Sequence, residues 1–289
     1  MVTTRTATRL TDVCTFHGEG PFWDPVGGRL LLVDMLAGAV VQVHADRSTT
    51  RHPVDRIAAV IRSRASGGFV VGVERGFRFL DEHLHPVGDA ITVFDDPTLR
   101  MNEGGCDPLG RFLCGAMAYD QTQGAGTLFR LDADHSVRPV LTDVTISNGL
   151  QWSADGRTAF YVDTPTRRID AFDVDPGDGA FSNRRPFVSL PDSLDGNPDG
   201  LAIDADDGLW VALYGGSAVH HYDTAGVLQD VVQVPASHIT ACAFGGPDLD
   251  ALFITTSLEG LEPDAEPDAG AVFTVDPGVR GAPLHTYAG

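Results

Sequence analysis

The chain reads as an all-β protein, a six-bladed β-propeller, and three observations predict it. A two-strand phrase recurs along the whole sequence. Its copies stand roughly 40–50 residues apart, the period of a four-stranded blade. The composition agrees, because 33 Gly and 18 Pro in 289 residues supply many tight turns and argue against long helices.

The first half of the phrase is a short apolar strand opened by Gly or Asp. Its copies are GRLLLVD from Gly28, GGFVVGVE from Gly67, GRFLCGAM from Gly110, GRTAFYVD from Gly156, DGLWVALY from Asp207 and DALFITTS from Asp250. The second half alternates and often ends on Asp: GAVVQVHAD from Gly38, GFRFLDE from Gly76, GTLFRLDAD from Gly126, RRIDAFDVD from Arg167, SAVHHYDTAG from Ser217 and GAVFTVDPG from Gly270. Alternation with β-branched and aromatic residues makes these strands. The intervening Gly, Asp and Asn make the turns. A further strand precedes each pair, and the linking segments leave room for a fourth. One such sheet cannot bury both its faces, but blades stacked in a ring can.

No composition break divides the chain, so residues 1–289 are expected to form a single domain. Residues 1–16 are expected to close the last blade, with TRLTDVCTF pairing near APLHTYAG. Twenty Lys and Arg against forty Asp and Glu give a formal charge of -20, which disfavours nucleic acid and anionic membrane surfaces as partners. No apolar run could span a bilayer and no signal-peptide pattern opens the chain. The four cysteines are scattered without a C-x-x-C pair, which suits free thiols. A cytoplasmic monomer is the expectation.

The informative residues lie in the strand that opens each blade, eight or nine positions before the Gly or Asp-Gly turn. Alignment by that turn brings together Glu19, Asn102, Asn148 and Asp199, with the neighbourhoods of Ala59 and Thr240 in the other two copies. The innermost strand of a blade lines the central channel, so one repeat position converges on one point of the axis. Two carboxylates and two carboxamides there suit a hard divalent cation. Taken singly, Asn148-Gly149 and Asp199-Gly200 are ordinary turn dipeptides. Four oxygen-bearing side chains at one phase favour a site instead, and Glu19 is no turn former.

Other chemistries find little support. There is no G-x-S-x-G elbow and no H-E-x-x-H, and adjacent His220 and His221 point to opposite faces of a strand. Trp23, Trp152 and Trp210 read as packing between blades. The acidic segment EGLEPDAEPDAG from Glu259 reads as a solvated surface loop, because it lacks the D-x-D-x-D-G spacing of a calcium loop.

At these residues the sequence resembles the senescence-marker-protein/gluconolactonase/luciferin-regenerating-enzyme family. The matching pieces are GEGPFWD, RMNEGGCDPLGRFLCGAMAYD, ISNGLQWSADGRTAFYVDT, FSNRRPF, PDGLAIDADDGLWVALYGG, CAFGGPD and the closing YAG, which together span nearly the whole chain. The resemblance implies a six-bladed propeller, one divalent cation in the channel, and hydrolysis of an aldonolactone. It implies Glu19, Asn148 and Asp199 as metal ligands. Arg100 and Asn102 then become substrate contacts, which moves Asn102 away from the ion. Two departures bear on specificity: Asn102-Glu103-Gly104 stands where relatives usually read N-D-G, and Asp120, on the substrate rim, stands where a close relative carries Glu.

The expected cofactor is one divalent cation, Ca²⁺ first, with Mn²⁺, Zn²⁺, Mg²⁺ or Fe²⁺ as alternatives. The expected partner is a small sugar lactone, with Asp199 as catalytic base. Two rival readings stay open: a phosphoester or phosphofluoridate hydrolase on a similar propeller, and a non-catalytic calcium-binding propeller.

Overall fold

The computed structural model describes residues 1–289. They form six twisted antiparallel sheets arranged as the blades of a propeller, with no α-helix and only two short 3₁₀ turns, Met35–Ala37 and Thr164–Thr166. The innermost strands of blades one to six are Gly18–Asp24, Ala58–Ser63, Leu99–Cys106, Ser147–Trp152, Asn197–Ile203 and Ile239–Gly245. Blades one to four run outward from the inner strand in chain order, and blades five and six do so until an N-terminal strand is added at the edge.

Burial explains the two sequence patterns. The second strands, such as Arg29–Asp34 and Leu209–Tyr214, lie between neighbouring blades and are buried on both faces, so they read as continuous apolar runs. The outer strands, such as Thr49–Pro53 and Phe181–Ser189, meet solvent and are largely polar. Aromatic pairs stitch adjacent blades: Trp23 stacks on Phe253 at 6.3 Å, and Trp210 meets Phe244 edge-on at 5.7 Å. Each fully buried aliphatic or Phe side chain here contributes about 1.5–3 kcal/mol relative to exposure.

Many of the acidic residues are turn formers. Asp24, Asp107 and Asp204 end inner strands and accept backbone N–H bonds from the hairpin that follows, for example Gly208 N to Asp204 Oδ1 at 2.7 Å. Asp81 and Asp223 do the same in outer hairpins. Much of the negative charge thus has a local structural cause.

The two chain ends are tied in at different places. Thr3–Thr6 adds a fifth, parallel strand to blade five, beside Leu228–Gln233. Thr8–Arg9 supplies the outer strand of blade six, pairing Thr8 with Thr274 and Arg9 with Phe273. The expected partner of the N-terminal segment, APLHTYAG, is therefore corrected: Phe273–Val275 offers the free edge. Residues 281–289 instead cross the lower face, the end carrying the inner hairpin turns. They bridge Asp204 through Gly281 and Arg64 through Tyr287, and the Tyr287 hydroxyl donates to the Asp132 carbonyl at 2.8 Å. Pro283, which has no N–H, and the lack of alternation suit a strap better than a ladder strand.

Candidate active site in the channel

All six inner strands lose their pairing register at the phase singled out by the repeat. The breaks fall between Glu19 and Phe22, Ala58 and Val60, Met101 and Gly104, Ser147 and Leu150, Pro198 and Leu201, and Ile239 and Ala241. A bulge frees residues from the ladder and re-aims their side chains. Glu19, Asn102, Asn148 and Asp199 all lie at these bulges, and all four are buried.

The carboxamides are held in defined orientations. The Thr164 hydroxyl donates to the Pro198 carbonyl at 2.9 Å, so its oxygen accepts from Asn148 Nδ2 at 2.7 Å. That fixes Asn148 Oδ1 as the free acceptor. It meets Asn102 Nδ2 at 2.8 Å, and the same nitrogen donates to the Ser147 carbonyl at 2.8 Å. Asn102 Oδ1 accepts from Arg100 at 2.6 Å, and that guanidinium also contacts the Met101 carbonyl and the Met35 sulfur, each at 3.1 Å. Arg100 and Asn102 are thus one unit beside Asn148. The loops entering two of these strands are held alike: Asp34 accepts from the N–H groups of Phe16 and His17, and Asp163 from those of Thr145 and Ile146.

The carboxylates carry the strain of the site. Burial pushes Glu19 up to about 7, against the hydrogen bond from Gly20 N and the charge of Arg100. Burial, then the charges of Glu19, Glu103 and Glu259, drive Asp199 well above the usual carboxylate range. Glu103 is raised for the same reasons, burial first and Glu19 second. Asp199 Oδ1 and Glu103 Oε2 are buried without a hydrogen-bond partner. Mutually repelling, underbonded carboxylates are what a cation relieves. No three His, Cys, Asp or Glu side chains are gathered closely enough to hold an ion alone. The side-chain oxygens freed at this phase come from two carboxylates, Glu19 and Asp199, and two carboxamides, Asn102 and Asn148.

Asp120 stands apart from this group. It is exposed at the rim, and its Oδ1 accepts from the backbone N–H and hydroxyl of Thr122 at 3.0 and 2.7 Å, capping its own turn. Neighbouring Tyr119 is the rim residue nearer the chemistry, with the Arg100 guanidinium 5.9 Å from its ring centre. Repeat phase gave no signal for Thr164, Tyr119 or Glu259. The segment from Glu259 comes back over the entry face: its carboxylate lies 3.2 Å from His17 Nδ1, and its carbonyl accepts from Tyr214 Oη at 3.2 Å and His238 Nδ1 at 3.0 Å.

A larger cavity, about 720 Å³, opens elsewhere, between the lower turns of blades one and two and Phe253 of blade six. Arg29 there is already bound to Asp24, Gln42 and the Glu82 carbonyl, and Arg64 to the Gly289 carbonyl. In the channel, by contrast, the carboxylate oxygens Asp199 Oδ1 and Glu103 Oε2 are left unpaired.

Fold and site together define a propeller with an oxygen-rich channel centre. The SMP-30/Gluconolactonase/LRE-like region matches residues 17–258. The chain belongs to that family. It is 35% identical to regucalcin of Oryctolagus cuniculus over 284 residues, covering 94% of this chain and 95% of that one. It is 34% identical over 265 residues to the "Putative sugar lactone lactonase YvrE" of Bacillus subtilis (strain 168), covering 89% and 90%. Among solved structures, a calcium-binding protein, regucalcin, from Agrobacterium tumefaciens str. C58 superposes with a TM-score of 0.89 at 25% identity, covering 99% of both chains.

Proposed function

We propose that this chain is a divalent-metal-dependent lactonase that opens a sugar lactone by attack of water. The observation that carries the reading is Asp199, a buried carboxylate with one oxygen unpartnered among Glu19, Glu103 and the Asn148–Asn102–Arg100 chain. The family's name and that of the Bacillus subtilis relative support the substrate class. Glu19, Asn148 and Asp199 are the residues that would hold the cation, Ca²⁺ by the character of the donors. When bound, the cation supplies Lewis-acid polarisation of the lactone carbonyl and neutralises charge that develops on its oxygen.

This chain's own groups do the rest. Asp199 takes a proton from the attacking water through the oxygen that no protein donor occupies. Arg100 offers guanidinium N–H groups, and Asn102 its carboxamide oxygen, to the hydroxyls of the sugar, the Asn102 N–H groups being already donated to Ser147 and Asn148. Their bond to each other holds both in one geometry. Asp120 would reach substrate only after releasing Thr122, so its role is at the rim. A lactone is an activated ester, and ring opening needs no nucleophile from the protein. No phosphate-sized cluster of cations faces the channel, Arg100 and Arg62 being its buried bases, which ranks the phosphoester reading second. A non-catalytic calcium-binding propeller would leave the Arg100–Asn102 pair without a purpose.

The test separates ion binding from chemistry. In Asp199→Asn, the carboxamide still offers an oxygen but cannot accept the proton. With the site saturated by Ca²⁺ or Mn²⁺, kcat on aldonolactones should stay depressed about 10²–10⁴-fold after subtraction of spontaneous hydrolysis. Full recovery with excess metal would leave Asp199 a ligand only.

A further inference from the structure

Glu259 is a further carboxylate, at the mouth, on a loop that the repeat does not predict to touch the site. Three bonds fix its backbone: its N–H donates to Ser257 Oγ at 2.9 Å, and its carbonyl accepts from Tyr214 and His238. The rings of Tyr214 and His238 stack at 4.3 Å, so the anchor is rigid. The Glu259 side chain remains 45% exposed and turns toward His17, two residues before Glu19. Its charge is the first that opposes the desolvation of Arg100, and it also acts on Glu19 and Asp199. Arg100 alone would attract any anionic substrate into the mouth.

We infer that Glu259 is a specificity-determining residue, a fixed negative charge at the mouth that favours neutral polyhydroxy lactones over lactones bearing a free carboxylate. The inference rests on the lactonase reading. With Glu19 and Asp199 balanced by a divalent cation, and buried Glu103 offset by the Arg62 guanidinium, Arg100 and Glu259 are the charges left to act on the entering substrate. A neutral lactone needs only hydrogen bonds from Arg100. A substrate carboxylate would gain from Arg100 and lose to Glu259, which lies on the solvent side where the substrate must pass. No protonation change is invoked, only the presence of the charge.

The experiment compares kcat/KM for gluconolactone, which is neutral, and glucarolactone, which carries a carboxylate, on the metal-loaded full chain. Glu259→Gln should raise the anionic-to-neutral ratio by about five- to tenfold. Glu259→Asp, which keeps the charge, should leave it within twofold of wild type. Raising the salt should lift the ratio in wild type and lower it in Glu259→Gln, where the attraction of Arg100 is left without an opposing charge to screen. An unchanged ratio in Glu259→Gln, or an equal change in Glu259→Asp, overturns the inference while gluconolactone turnover keeps the lactonase reading intact. Loss of turnover on both lactones by wild type overturns the two together.

Discussion

Blades two and four share a backbone event and differ in what it presents. Both inner strands break register at the same phase. In blade two the freed residue is Ala59, fully buried in the largest apolar cluster. In blade four it is Asn148, whose oxygen is turned toward Asn102 by Thr164. Blade six is intermediate: Thr240 is polar, yet its hydroxyl is already engaged by the Gly18 carbonyl and Thr255. The bulge is thus a property of the repeat, and a site arises only in copies whose freed residue carries a carboxylate or carboxamide oxygen with acceptor capacity to spare. Asp199 is the extreme case, with an oxygen that nothing in the protein satisfies.

Placing a carboxylate on the inert side of this comparison gives the largest expected effect. A Cβ added to Gly72 would lie 3.3 Å from that of Ala59, so the packing there has no slack. Ala59→Asp should cost about 3–5 kcal/mol by urea unfolding, as an unpaired buried charge does. Near-wild-type stability with tighter Ca²⁺ binding would mean that all six positions are open to the ion. On the active side, Thr164→Val removes the group that orients Asn148 without touching the donor set. Calorimetric cation affinity should fall about 10–100-fold, as for other supporting hydrogen bonds around metals, and Thr164→Ser should restore it. Unchanged affinity would show that Asn148 needs no such support.

The smallest effect lies away from the axis and serves as a control. His221 bonds Asp204 at 3.1 Å and Asp230 at 3.0 Å. Burial alone would lower its pKa, but these two partners outweigh burial and raise it. The stability it lends is complete below the unfolded value of about 6.5 and is lost as pH rises through the higher folded value. His221→Gln should flatten unfolding stability across that window and leave cation affinity alone. A slope that survives the substitution would assign it to another group.

How much of this is legible in the sequence follows from which contacts are periodic. The blades and the phase of Glu19, Asn102, Asn148 and Asp199 repeat along the chain, so a single sequence displays them. Asp34 and Asp163 also repeat, ending LLLVD and FYVD, and could have been found by asking why two second strands finish on a carboxylate. Thr164 could not, because the matching 3₁₀ position in blade one is the apolar Met35, and Glu259 could not, because it acts on neighbours distant in sequence. The partner of the N-terminal segment was misplaced for a related reason: closure is a non-local choice among free edges, and hydrophobic pattern does not rank them.

The way the ring closes sets an order of events during synthesis. Thr8–Arg9 leaves the ribosome before the rest of blade six but has its partner edge at Phe273–Val275, 266 residues later between Thr8 and Thr274. At about 5–20 residues per second that partner arrives on the order of ten to fifty seconds afterwards. Until then the early strand has nothing to pair with and the growing row of blades keeps one face uncovered. The short length of Thr8–Arg9, together with the charge of Arg9 and of nearby Arg5, makes it a poor template for a second chain during that interval.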